Sequence, residues 1–228
     1  MKNILTIIKK QLKDTLKNKT VLIQFVLFPI ITLVMENAVH IESMPEHFFS
    51  KLFSVMYIGM APLSVAASII AEEKEKNTLR VLVMADIKPH QYLIGVGIYI
   101  WMICMIGAGV IATGLDPKDI PFYLLVMGVG FLISILAGAC VGVCARDQMM
   151  ATSLYMPVMM ACSFMPMLAM FNEKIKSVAG IFYTQQLREL LDRMSFEGME
   201  TRGAAILMVN MLLVIVLFFV MFKRKGLE

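Results

Sequence analysis

Six stretches of this chain carry no Asp, Glu, Lys or Arg: residues 20–35, 52–71, 89–115, 120–145, 148–172 and 203–222. A bilayer core of ~30 Å takes about 20 apolar helical residues to cross. Each stretch has, or nearly has, that length. The pattern predicts spans at about 20–39, 52–71, 91–112, 121–145, 149–171 and 203–222. The first reaches past Glu36 toward Val39, which sets Glu36 near an interface. A charge at the centre of a span costs roughly 2.5–3.5 kcal/mol, so none is placed there.

Two further segments are amphipathic. Ile4, Ile8, Leu12 and Leu16 form an i, i+4 row with Ile7 beside it, and Lys9, Lys10, Lys13 and Lys17 take the other side. This predicts an interfacial helix over 3–19, lying along the membrane before the first span. Over 184–194, Leu187, Leu190, Leu191 and Met194 share a face ringed by Arg188, Glu189, Asp192 and Arg193. This predicts a short helix on the outer surface before the last span. The expected fold is all-α: one polytopic membrane domain over 1–228, with six transmembrane helices, an N-terminal interfacial helix and an extracellular helical segment.

Composition agrees. Hydrophobic residues make up 59% of the chain and charged residues 17%, against about 25% charged in an average soluble domain. No basic face over a soluble core exists, which excludes a nucleic-acid partner. The net charge of +4 is informative only in its distribution. Lys2, Lys9, Lys10, Lys13, Lys17 and Lys19 precede the first span. Loop 72–91 holds Lys74, Lys76, Arg80 and Lys88, the turn near 146 holds Arg146, and the C-terminus holds Lys223, Arg224 and Lys225. The alternate loops are poorer: 36–51 has Lys51 beside Glu36, Glu42 and Glu46, and 113–120 has Lys118. In 173–202, five basic residues are balanced by Glu173, Glu189, Asp192, Glu197 and Glu200. Because basic residues mark cytoplasmic loops, a multi-pass cell-membrane protein with both termini cytoplasmic is expected. Basic residues recur through Lys19 without a small-residue cleavage site, so no cleaved signal is expected.

Catalytic signatures are missing. The sequence has no HExxH, no GxSxG and no GxxxxGK[ST] phosphate-binding loop. His40, His47 and His90 sit at or beyond span ends. Cys104, Cys140, Cys144 and Cys162 lie inside apolar runs, where they act as small packing residues with no metal partners. No metal or other cofactor is expected in the chain. Ion-coupled carriers usually hold ionisable groups within the membrane, and the predicted cores hold none.

Four features remain. Gly130, Ser134, Gly138 and Gly142 form a small-residue ladder spaced by four, which lets another helix approach closely, within the chain or across a dimer. Pro29, Pro62, Pro157 and Pro166 fall inside spans and either fix a static kink or provide a hinge. Met159, Met160, Met165, Met167 and Met170 crowd the fifth span, either as gap filling or as an adaptable apolar lining. The most distinctive stretch follows the second span: Glu72, Glu73, Lys74, Glu75 and Lys76, then Asn77 and a helical pattern from Thr78, Leu79 and Arg80. A charged elbow there either docks a soluble partner or only sets topology.

This stretch resembles the corresponding loop of ABC-2 type transporter permeases, roughly E-x-E-x-G-T-L, a Leu-rich helix, a Pro-containing turn and a Leu-x-Gly entering the third span. Glu73, Glu75, Thr78, Leu79, Leu82, Pro89, Leu93 and Gly95 match in order. Phe182 to Leu190 resembles the family's outer helix before the last span, and the layout matches along the whole chain. Asn77 stands where glycine is usual, and Asn tolerates the left-handed conformation glycine supplies. Val96 replaces a common lysine, and Asp86, Ile87 and Lys88 lengthen the approach to Pro89.

The resemblance implies the membrane subunit of an ATP-driven exporter, without an ATPase site of its own. ATP and Mg would be bound by a separate ATP-binding cassette ATPase subunit. Residues 72–80 would be its docking element, with a second permease copy completing a homodimer or heterodimer in the membrane lipid. The alternatives are a membrane-bound immunity or sequestering protein, which predicts no ATPase partner, and an ion-coupled secondary transporter, which predicts activity of the chain alone.

Overall fold

A computed structural model describes residues 2–39, 45–84, 87–195 and 201–225. His40, Glu42, Asp86, Glu197 and Glu200 lie outside that set. The described chain is helical throughout: α1 (Lys2–Lys17), α2 (Lys19–Ala38), α3 (Phe48–Glu75), α4 (Thr78–Met84), α5 (Pro89–Ala112), α6 (Ile120–Cys144), α7 (Gln148–Leu168), α8 (Glu173–Ala179), α9 (Tyr183–Arg193) and α10 (Thr201–Lys225). Among the described residues, six helices (α2, α3, α5, α6, α7 and α10) are long and apolar enough to cross a membrane.

The bundle is organised around α3. Its 28 residues give a rod of roughly 42 Å, and it touches α2, α4, α5, α6, α7 and α9. Small residues make this possible: Gly59, Ala61, Ser64, Ala66, Ala67 and Ala71 are buried along it. Its first turn is held by Glu36, whose carboxylate accepts from the Ser50 amide at 2.8 Å and the Ser50 hydroxyl at 3.1 Å. The carboxylate thus sits at a helix N-terminus, where the helix dipole favours negative charge. Pro29, Pro62, Pro157 and Pro166 all lie within helices.

The small-residue ladder of α6 packs on α3, inside the chain. A β-carbon at Gly130 would meet Ile58 and Leu187 side-chain atoms at 2.9 Å. One at Gly142 would meet Ile70 at 2.8 Å, and one at Gly138 would run into the Leu63 carbonyl. Between them, the Ser134 hydroxyl donates to the Ile58 carbonyl of α3 at 2.6 Å. Without water to satisfy polar groups, such bonds join helices at fixed register. The Ser54 hydroxyl bonds the Ser50 carbonyl at 2.5 Å. Its one proton is thereby committed, so the Tyr123 hydroxyl, 2.7 Å away, is the donor to Ser54.

The helix expected over 184–194 exists as α9, but it is inserted rather than laid on the surface. Tyr183 is 3% exposed and Leu187 1%. The Tyr183 hydroxyl lies 2.7 Å from that of Ser134, which stands roughly 21 Å along α6 from its start at Ile120. The Asn210 amide of α10 donates to the Ile181 carbonyl at 2.9 Å. So α8 and α9 form a re-entrant hairpin whose α9 arm packs against α3, α6, α7 and α10, while α8 rests on α7 and is mostly exposed.

α1 also differs from its sequence pattern. Ile7, Gln11 and Thr15 form its buried row, at 2%, 3% and 6% exposure, while Leu12 and Leu16 point away from the protein at 44% and 66%. The C-terminal half of the apolar row is therefore left exposed, Ile8 of its N-terminal half packs on the core, and the row of Ile7, Gln11 and Thr15 faces the bundle.

Candidate functional site

The charged elbow is the last turn of α3 and the break that follows. The helix continues through Glu75 and stops where Asn77 turns left-handed, at φ 53°. Asn reaches that region at less cost than most residues. The Lys76 amide bonds the Glu72 carbonyl and the Asn77 amide the Lys74 carbonyl, each at 3.0 Å, which satisfies carbonyls left over at a helix end. α4 then starts at Thr78 in a new direction.

Successive residues on a helix point about 100° apart, and four successive charges here reach four different partners. Glu72 pairs with Lys76 along the surface, and the Glu72 carboxylate holds the Lys76 ammonium above its ordinary pKa. Glu73 turns inward: it is 7% exposed, and its Oε1 accepts from Lys10 Nζ and from Gln11 Nε2, the latter at 3.0 Å, both on α1. Lys74 Nζ donates to the Val143 carbonyl at 2.8 Å, placing a cation at the C-terminal end of α6, where the helix dipole favours it. Glu75 Oε2 accepts from the Gln148 amide at 3.0 Å, placing an anion at the start of α7. Asp147 adds an N-cap there, accepting from the Met150 amide at 2.7 Å.

The elbow is thus tied to α1, α6 and α7 at one end of the bundle. Glu75, Lys76 and Asn77 are exposed, Glu72, Lys74 and Thr78 half-buried. Leu79 and Arg80 belong to α4, and their side chains lie outside the described set. Between α1 and the elbow runs a cleft of about 660 Å³ whose walls include Lys10, Asp14, Lys17, Lys19, Glu72 and Lys76. Its surface is charged with both signs, as suits a protein contact or lipid headgroups rather than a small apolar ligand. No cluster of three potential metal ligands occurs among the described residues.

The elbow also connects to the middle of the bundle. Ile58, on the same helix as Glu73 and roughly 22 Å away along it, accepts the Ser134 hydroxyl. That hydroxyl in turn takes the Tyr183 O–H of the re-entrant hairpin. One continuous helix, with Pro62 between the two points, therefore links the charged end to the hairpin. Sequence reasoning singled out neither Tyr183 nor Lys10 and Gln11. For Glu73 a signal existed: it continues the buried Ile69, Ile70 face at i+4 and i+3.

No curated protein matches the chain in sequence. A family model described as "ABC-2 family transporter protein" matches residues 1–222, a range from α1 to the last turns of α10. With that match over nearly its whole length, and with six membrane-crossing helices joined by a charged elbow, the chain belongs to the ABC-2 family of transporter proteins.

Proposed function

We propose that this chain is the permease subunit of an ATP-binding cassette exporter, with both termini in the cytoplasm and the exposed side of the elbow 72–80, which excludes the buried Glu73, as the seat of a separate ATPase subunit. The observation that carries the reading is the convergence of α1, α3, α6 and α7 on the elbow through Glu72, Glu73, Lys74 and Glu75. A push at such a point moves four helices together. α3 carries it to the Ser134–Tyr183 contact and so to the hairpin, the natural gate at the opposite face. ATP and Mg belong to the ATPase. A second permease copy completes the path, as in the family's two-permease, two-ATPase arrangement. The basic residues gathered on the elbow face, against the poorer loop around Lys118, support the cytoplasmic assignment of that face.

The exposed charges are the part offered to a partner. In the double variant Glu72→Lys/Lys76→Glu the internal i, i+4 pair survives with its polarity reversed, while the surface charge pattern is inverted. This variant is expected to fold, insert and lose the co-purifying ATPase. ATPase recovery equal to that of the unaltered chain would contradict docking at the elbow.

A further inference from the structure

Glu73 is set apart from its charged neighbours by burial and by its partners. Its carboxylate lies 7% exposed beneath α1 and takes two donors from that helix, Lys10 Nζ and Gln11 Nε2. Gln11 is itself 3% exposed. A buried carboxylate met by a cation and an amide is a directional contact, because the carboxylate or the Gln11 amide left alone would be a desolvated polar group. The same helix is fixed to α5 independently. A β-carbon at Gly95 would meet Ile7 at 2.9 Å, and Asn3 Nδ2 donates to Gln91 Oε1 at 3.1 Å. α1 therefore bridges the end of α3 and the start of α5, two elements separated in the chain by α4.

We propose that Glu73 is a positioning residue that clasps α1 to the elbow, so that α1 and the elbow move as one body and a displacement at the elbow reaches α5 through α1. The displacement by an ATPase rests on the reading above; the clasp itself does not. Glu73 then contributes to transmission and not to the docking surface. Loss of its charge leaves Glu72, Glu75 and Lys76 in place for a partner and releases α1 from the elbow while α1 stays on α5.

The test uses the full chain in lipid nanodiscs, with genetically encoded spin labels at two exposed positions, Lys13 on α1 and Val81 on α4. The unaltered chain is expected to give one narrow distance distribution. Glu73→Gln and Lys10→Met are each expected to lose that single narrow peak, and Lys10→Glu/Glu73→Lys to restore it. Recovery by charge exchange is a result that a purely space-filling role would not produce. Lys10 is a third exposed, so Lys10→Met keeps the test decisive if Glu73→Gln fails to fold. A narrow peak retained in the single variants, or a broad distribution in the unaltered chain, would overturn the clasp. Where an ATPase co-purifies, Glu73→Gln is expected to keep it bound. Absence of any ATPase from the unaltered chain would refute the docking reading while leaving the distance result readable.

Discussion

At the residue scale the elbow depends on one backbone angle. Asn77 is left-handed, and the change of direction from α3 to α4 passes through it. Asn77→Gly keeps that conformation available, whereas a β-branched side chain strains it by about 1–3 kcal/mol. Asn77→Val is therefore expected to lower the thermal unfolding midpoint in detergent and Asn77→Gly to leave it nearly unchanged. Equal midpoints for Asn77→Val and the unaltered chain would show that the break does not need the angle. The sequence made this position legible, because Asn stands where the family pattern has glycine. It did not make legible that Glu73 and Glu72 face opposite ways, since that depends on where α1 returns. Only the apolar stripe through Ile69 and Ile70 hinted at it.

At the scale of elements, close approach of α3 and α6 holds the bundle together. Gly130, Ser134, Gly138 and Gly142 face α3 throughout, and their spacing announced a helix contact without naming its partner. Gly138→Ala drives a methyl group into the Leu63 carbonyl and Ala66. Overpacking of this kind costs about 1–3 kcal/mol, and a lower unfolding midpoint with reduced yield is expected. Gly109→Ala, with nothing within 4 Å of the added carbon, is the control and is expected to be neutral. A neutral Gly138→Ala would mean that the helices do not pack this closely. The re-entrant depth of α9 was the least legible feature. Thr184, Gln185 and Gln186 are polar and carry no apolar periodicity, yet they and Tyr183 are all buried. Their placement rests on long-range contacts such as Tyr183 with Ser134 and Asn210 with Ile181, which local periodicity does not record.

At the scale of the molecule, the six apolar helices were legible because the bilayer imposes length and freedom from charge on each. The proposed division of labour with an ATPase rests on two sequence features, a charged elbow and no GxxxxGK[ST] phosphate-binding loop. The structure adds a mechanical layout, with a network of charges at one end of α3, a hydrogen-bonded hairpin near the other, and a single long helix between them. Among its described side chains α10 has none buried, and it touches only α6 and α9 among the larger contacts. It presents an apolar surface along nearly its whole length, which in the proposed arrangement meets lipid or a second permease. The most direct test of the account is to isolate the tagged chain from its native membrane in gentle detergent at low salt, and to assay the eluate for ATP hydrolysis with and without vanadate. The account predicts a stoichiometric nucleotide-binding subunit and vanadate-sensitive hydrolysis. A permease eluting alone, with no ATPase at any level above background, would contradict it.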